Sequence, residues 1–576
     1  MNRQKSLSIS SENTNPNSSN STIPNQNGTI FFVTFNFTNC VIGAGIIGTA
    51  NAMKEYGYLI SVLLLVCCAL LTKKSLDDLI SLQIDKNLEL SMGAQFNSNS
   101  SLDYAVLETV PDTPSAQRGK ISNYESLGFA AFGQAGKLAV IVSKLTYAWG
   151  CLVAYTVVLK NNMPSALTDQ FCDDESSSSS GLICSFMEDE RMFTLLLCTV
   201  VVLPLCLLRS LDSLAKFGVL SILSVVFITF IVLIERIANP AGYQPMEFPQ
   251  HSILEDLIEV KGGVISSLGT FVFAFVSQHC SHLAFDTLNE KTLENWKKVT
   301  RNSVSIALSL VLVVGTTVYI TFWDLTPSDM FHCYPPNSEE IDFARVLLAF
   351  TMMMSFPLPF FTCREMIIDV GYVILGSGVN EDDQLLGSLA QAPSPSEDNF
   401  LEKLISDADA IISRESIGAA PTTTNTNTNA TNQPTGMAKY LLVSAYSNSN
   451  SNSNNDTASS NSSSSNSNAE NRQLKPFYHV SLTIAIWAAA VGLALEAPSL
   501  GSVLDLVGCI SGSFIAFILP SMFEVKLRGR WVGKNVFMFA VGVSITVLGS
   551  VFSFMKIVDE VRDGGEGGGG DCGAGD

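Results

Sequence analysis

Two amides and three closely spaced glycines lie in an apolar stretch long enough to cross a bilayer: Phe35-Asn36-Phe37-Thr38-Asn39-Cys40-Val41-Ile42-Gly43-Ala44-Gly45-Ile46-Ile47-Gly48. Asn36 and Asn39 offer amide oxygens suited to a hard cation or an ammonium group. Each glycine weakens a helix by roughly 1 kcal/mol relative to alanine, and a plain membrane anchor gains nothing from that. Broken helix at mid-membrane depth is tolerated only where the backbone is buried in protein or lines a cavity. Small residues also let membrane helices pack closely, but Gly43 and Gly45 are two apart and do not share one helix face. The chemistry indicated is reversible coordination of a small polar solute by freed backbone groups, as in a solute carrier.

Two further stretches carry polar groups where an apolar run is expected. Ser277-Gln278-His279-Cys280-Ser281-His282 follows Phe271-Val272-Phe273-Ala274-Phe275-Val276. Residues 263–278 alone are short for a crossing, so the span is expected to continue through the polar residues as a second broken helix facing a cavity or partner. Farther on, Thr351 and Ser355 are four apart and share a helix face, and Pro357 and Pro359 follow them. A hydroxyl in a membrane helix more often bonds its own i−4 carbonyl, so a ligand role needs support from context. Asp505, near the start of a later span, is either a proton-carrying carboxylate inside the membrane or an interfacial one.

The elements that position these groups are membrane helices. Of 576 residues, 47% are hydrophobic and only 15% charged, against about 25% charged in soluble domains. Hydropathy places about eleven spans near 31–53, 57–80, 136–159, 192–210, 215–235, 263–284, 302–323, 342–370, 477–496, 500–522 and 535–557. Lys73, Lys74, Arg118, Lys120, Lys297, Lys298, Arg301, Arg528 and Arg530 fall in loops on one side. The positive-inside rule puts that side, and the N-terminus, in the cytoplasm. Tyr124-Glu125-Ser126-Leu127-Gly128-Phe129 reads as an amphipathic helix at the interface.

The chain divides into a polar tail (1–30), spans one to eight (31–370), a cytoplasmic Asn/Ser-rich loop (371–475), spans nine to eleven (476–558) and a Gly/acidic tail (559–576). The Asn-rich tracts lack the apolar surface to fold and are expected to be disordered. Cys172, Cys184 and Cys333 fall in outside loops, where a disulfide between two of them is expected, the pairing being open. A net charge of −20 argues against nucleic acid as a partner. The five histidines come with no HExxH, GxSxG or Walker pattern, so no enzyme activity is expected.

These segments, in this order, resemble the amino acid/auxin permease family, in particular its sodium-coupled neutral amino acid transporter branch. The string from Asn36 to Gly48 is similar to that family's first-span motif. Tyr124-Glu125-Ser126-Leu127-Gly128 with Ala131-Phe132-Gly133 resembles its lead-in to the third span. Leu203-Pro204-Leu205-Cys206-Leu207-Leu208-Arg209, Phe273-Ala274-Phe275-Val276 and Ala516-Phe517-Ile518-Leu519-Pro520 resemble parts of its fourth, sixth and tenth spans. The matches cover most of 31–557. Ser277-Gln278-His279 departs from the family's Cys-His-Pro-like sequence, and the 371–475 loop is longer than usual.

The resemblance implies an all-α polytopic membrane protein of LeuT type, with a 5+5 inverted repeat plus one helix. Carried over by position, the substrate would meet Gly43, Ala44, Gly45 and Ile46 on one side and Phe275, Val276, Ser277 and Gln278 on the other. A sodium ion would be held by Asn36 or Asn39 with the hydroxyls of Thr351 and Ser355. The implied activity is sodium-coupled secondary transport of neutral amino acids by alternating access, with no cofactor beyond the coupling ion. A proton is the alternative ion, as in a vacuolar or lysosomal transporter, and the membrane is either that one or the plasma membrane. An amino acid sensor signalling through 371–475 is a third reading; protein partners are unknown.

Overall fold

A computed structural model describes residues 28–97, 120–171, 186–187, 189–208, 217–238, 264–334, 338–374 and 476–562. The tail before residue 28, the loop from 375 to 475 and the tail beyond 562 lie outside these. The described residues are helical throughout, with no strand among them.

The first span is two helices, α1 (Ile30–Val41) and α2 (Gly45–Tyr56), bent by 56° at the glycine string. Then come α3 (Tyr58–Asn97), α4 (Tyr124–Phe171), α5 (Glu190–Leu207) and α6 (Phe217–Ala238). The sixth expected span is also two helices, α7 (Val264–Phe273) and α8 (Gln278–Asp286). The rest are α9 (Leu293–Phe322), α10 (Glu339–Ser355), α11 (Pro357–Ile374), α12 (Pro476–Leu495), α13 (Leu500–Arg528) and α14 (Gly533–Arg562). With α10 and α11 taken as one continuous span, eight of the described helices are long and apolar enough to cross a membrane, or nine counting the bent α1–α2 pair. The other two expected spans appear as the interrupted α7–α8 and as α12, an apolar helix over His479–Leu495.

Sequence explains the local irregularities. Pro204 and Pro520 lack an N–H, and each follows a π turn, at Cys198–Val202 and Phe514–Ile518, that absorbs the lost hydrogen bond. Helix α13 is central, with 72% of its most apolar window buried in protein, against 22% for α5 and 28% for α14. The last two present Val200, Phe552 and Phe554 outward, as lipid-facing helices do. Because lipid is as apolar as these side chains, association depends on close packing. Helices α7 and α13 meet backbone to backbone: a Cβ on Gly508 would lie 1.9 Å from the Gly269 carbonyl oxygen.

The stretch read as an amphipathic interfacial helix, Tyr124 to Ala131, packs against protein, with Tyr124 and Leu127 buried, and leads through a break at Phe132–Gly133 into the rest of α4. Tyr124 donates its hydroxyl hydrogen to the Ile515 carbonyl at 2.9 Å, and Gln83 and Asn87 of α3 bind the Ile121 carbonyl. Those partners lie far away in sequence, so local amphipathicity could not show them.

Candidate functional site

The two breaks abut. A Cβ on Gly45 would come within 2.6 Å of Ala274 Cα, so only glycine allows the backbones this close. Around the contact, α2 packs on α7, and α1 on α8. At the first break the Ile42 N–H still reaches Thr38 O (2.9 Å) before the chain leaves the helix, and Ile47 N–H restarts it on Ala44 O (3.1 Å). At the second, Phe275 N–H bonds Val272 O (3.0 Å) and Cys280 N–H bonds Ser277 O (3.1 Å). The C-terminal carbonyls of α1 and α7 thus lie beside the N-terminal amides of α2 and α8. Helix ends carry partial charges of opposite sign, so this arrangement complements a zwitterion, with carboxylate toward the amides and ammonium toward the carbonyls.

The eight residues expected to meet substrate all lie at these breaks. Ala44, Gly45, Ile46, Phe275, Val276, Ser277 and Gln278 are buried, and Gly43 is half-buried. Gln278 closes its own break: its Oε1 accepts from the Ser277 N–H (3.0 Å), and its Nε2 reaches Ser75 Oγ (3.4 Å). The Val276 carbonyl accepts from the Tyr147 hydroxyl at 3.3 Å.

Sequence reasoning missed the wall opposite. Helix α4 carries Tyr147, Cys151 and Tyr155 at four-residue spacing. The Tyr155 hydroxyl lies 3.5 Å from where a Gly43 Cβ would be, and the Tyr147 ring packs on Phe273 (5.4 Å) and His279 (5.1 Å). The spacing was the available signal, but an aromatic in an apolar helix equally suits core or lipid.

The candidate sodium ligands sit on separate helices. Asn36 and Asn39 are half-buried on α1, and Thr351 and Ser355 lie at the end of α10. Thr351 Oγ1 donates to Leu347 O at 2.9 Å, which leaves its lone pairs free for a cation. Among the described residues no hydrogen bond joins the amides to these hydroxyls. Nor does any group of three or more His, Cys, Asp or Glu there suit a metal ion. Asp505 is buried in protein, where it accepts from Thr270 Oγ1 (2.6 Å) and from Lys556 Nζ of α14 (3.1 Å). Cys333 is disulfide-bonded; Cys172 and Cys184 lie outside the described residues.

A plug covers the side where α2 ends. Residues 323–334 start from Trp323 at φ +47° and bury Thr326, Asp329, Met330 and Phe331. Lys54 of α2 donates to Thr326 O (2.9 Å), Asn162 of α4 to Asp329 Oδ2 (2.7 Å), and Arg345 of α10 to Phe331 O (3.0 Å). Burial lifts the Asp329 carboxyl above the ordinary carboxylate range, against the Phe331 N–H and the Asn162 amide, which favour the carboxylate. The folded protein therefore keeps this proton to higher pH than the unfolded chain. The resulting stability is full below the unfolded carboxyl's range and lost as pH rises through the folded value. Asp329→Asn should remove that loss, giving a higher Tm than wild type at pH 7.5 and the same Tm near pH 4. A lower Tm than wild type at pH 7.5 would overturn the assignment.

Paired broken helices whose freed backbone groups meet at one point, inside a bundle of membrane-length apolar helices, define a polytopic all-α membrane protein. Comparison with known proteins makes the class specific. The chain matches the family described as transmembrane amino acid transporter protein over residues 26–86 and 105–558, and it belongs to that family. It is 24% identical over 337 residues to a Mus musculus protein provisionally named sodium-coupled neutral amino acid transporter 11, covering 58% of this chain and 64% of the relative. The Bos taurus protein of that name is 27% identical over 338 residues, 58% and 62% of the two chains. Vacuolar amino acid transporter 7 of Saccharomyces cerevisiae is 23% identical over 344 residues, 59% and 67%. The chain thus spans a little under two thirds of these mammalian relatives. All are named as transporters, not enzymes.

Proposed function

We propose that this chain is a secondary active transporter that moves neutral amino acids with sodium by alternating access, with its N-terminus in the cytoplasm. The observation that carries the reading is the Gly45–Ala274 contact, which sets the amide and carbonyl ends of two broken helices around one point. In this reading α2 and α8 hold the substrate carboxylate, while the carbonyl ends of α1 and α7 hold its ammonium group. Tyr147 and Tyr155 bound the space left for the side chain. Asn36 or Asn39 and the hydroxyls of Thr351 and Ser355 form the sodium site, and the inverted repeat of spans one to five and six to ten belongs to the same proposal. The names of the mammalian relatives support sodium as the ion.

Uptake of a labelled amino acid panel into proteoliposomes, with sodium and proton gradients imposed separately, tests the reading. Accumulation driven by sodium alone is expected, and no accumulation under either gradient overturns transport. Ser355→Ala should reduce uptake several-fold at low sodium and much less at saturating sodium. An unchanged sodium dependence in that variant removes Ser355 from the site.

A further inference from the structure

We propose that His282 is a proton-binding site, separate from the two breaks, and that the proton it takes up releases α8 from α4. Only the consequence for transport rests on the alternating-access reading. His282 is 3% exposed, on the half of the sixth span that runs from the break to the side where α1 begins.

Its protonation state follows from its neighbours. The one hydroxyl hydrogen of Ser281 is donated to the Gln278 carbonyl at 2.7 Å. Ser281 Oγ can then only accept at its 3.2 Å contact with His282 Nδ1, so Nδ1 carries the ring hydrogen. Nε2 is left as a bare lone pair, buried and without a partner. It is an open proton acceptor.

The seam around it suits a neutral ring and not a cation. The imidazole stacks on Tyr124 at 5.7 Å and 19°, and the Tyr124 hydroxyl fixes that ring to α13 through the Ile515 carbonyl. Beside Tyr124, the buried Glu125 is paired with Lys144 at 2.5 Å, so the nearest carboxylate already has its cation. The other elements around α8 supply little to hold a second positive charge. Helix α8 itself has His279, Cys280 and Asp286, and α1 has Cys40. Helix α3 has Asp77, committed to Lys73 and Thr300. Helix α11 has Glu365, which faces Lys144, and residues 514–518 of α13 bring no charge.

A proton on Nε2 therefore places a charge where burial is costly unless paired. Glu125 and Lys144 both belong to α4 and already neutralise each other, so the imidazolium finds no free counter-ion in the seam and is solvated only by leaving it for water. That departure loosens α8 from α4, so acid on this side favours the conformation in which the half-helix has moved out.

Hydrogen–deuterium exchange of the full-length protein, read over residues 278–286 and corrected for the intrinsic effect of pH, tests the proposal without any transported solute. It can therefore fail while the uptake assay succeeds, and the reverse. One proton changes an equilibrium by at most about tenfold per pH unit. We expect exchange in α8 to rise about tenfold in wild type between pH 7.5 and 5.5, and less than about twofold in His282→Gln, which keeps a polar group of similar size. Equal responses in the two proteins, or no rise in wild type, overturn the assignment. Should His282→Gln not fold, wild type alone decides: a rise confined to α8 with α7 unchanged supports the site, and a flat α8 or an equal rise in both overturns it.

Discussion

Gly45→Ala should abolish uptake, reducing it by at least about 100-fold, a cost of roughly 2.7 kcal/mol or more in the transport barrier. The added methyl carbon would sit 2.6 Å from Ala274 Cα, 2.9 Å from its nitrogen and 3.0 Å from its Cβ. None of these atoms is the end of a flexible side chain, so the breaks must separate as backbones. Separation moves the amide ends of α2 and α8 away from the carbonyl ends of α1 and α7, and the coordinating groups no longer converge on one ligand. Gly43→Ala is the control. Only the Tyr155 hydroxyl lies within 4 Å of the new carbon, at an ordinary 3.5 Å. Similar uptake by the two variants, at equal amounts of folded protein in the vesicle, would sink the account.

Lys556→Met should be strongly destabilising. Asp505 has a nearly buried side chain, 2% exposed, whose cationic partner is Lys556. Removing one member of such a pair costs about 3 kcal/mol, because the remaining charge stays buried without compensation. Thr270 keeps its hydrogen bonds to Asp505, which limits the loss without neutralising the charge. Thermal unfolding in a mild detergent should show a clear fall in Tm for Lys556→Met. Most of it should return in the double variant Lys556→Met/Asp505→Asn, since the introduced amide oxygen still accepts from Thr270 and carries no charge. If the double variant is no more stable than the single, the ion pair is not what holds α14 to the bundle.

The sequence made the breaks legible because both offend a rule that plain membrane helices obey. Gly43, Gly45 and Gly48 weaken a helix where nothing local asks for it, and Ser277 to His282 interrupt an apolar run that is otherwise too short. Such local signals survive without tertiary knowledge. The remaining features depend on partners distant in the chain. Nothing around Asp505 announces Lys556, fifty-one positions away, so its place inside or at the edge of the membrane was undecidable from sequence. Tyr124 read as interfacial because a Tyr-Glu-Ser-Leu pattern is amphipathic whether the polar face meets water or, as for Glu125, a buried lysine. The plug was invisible because its anchors, Lys54, Asn162 and Arg345, come from three helices and act on backbone or on one aspartate.

The Gly45–Ala274 contact also has a mechanical consequence. Helices α1 and α2 have 12 residues each, so the contact divides the first span into two arms of roughly 18 Å. A pivot at the middle of a lever moves both ends equally. Rotating the span by about 10° around that point carries either end through roughly 3 Å, with the opposite sense at the two faces. In the alternating-access proposal, widening one entrance would thereby narrow the other by about the same amount, with no separate device to synchronise them. The side chain missing at Gly45 is what lets this fulcrum sit against its bearing.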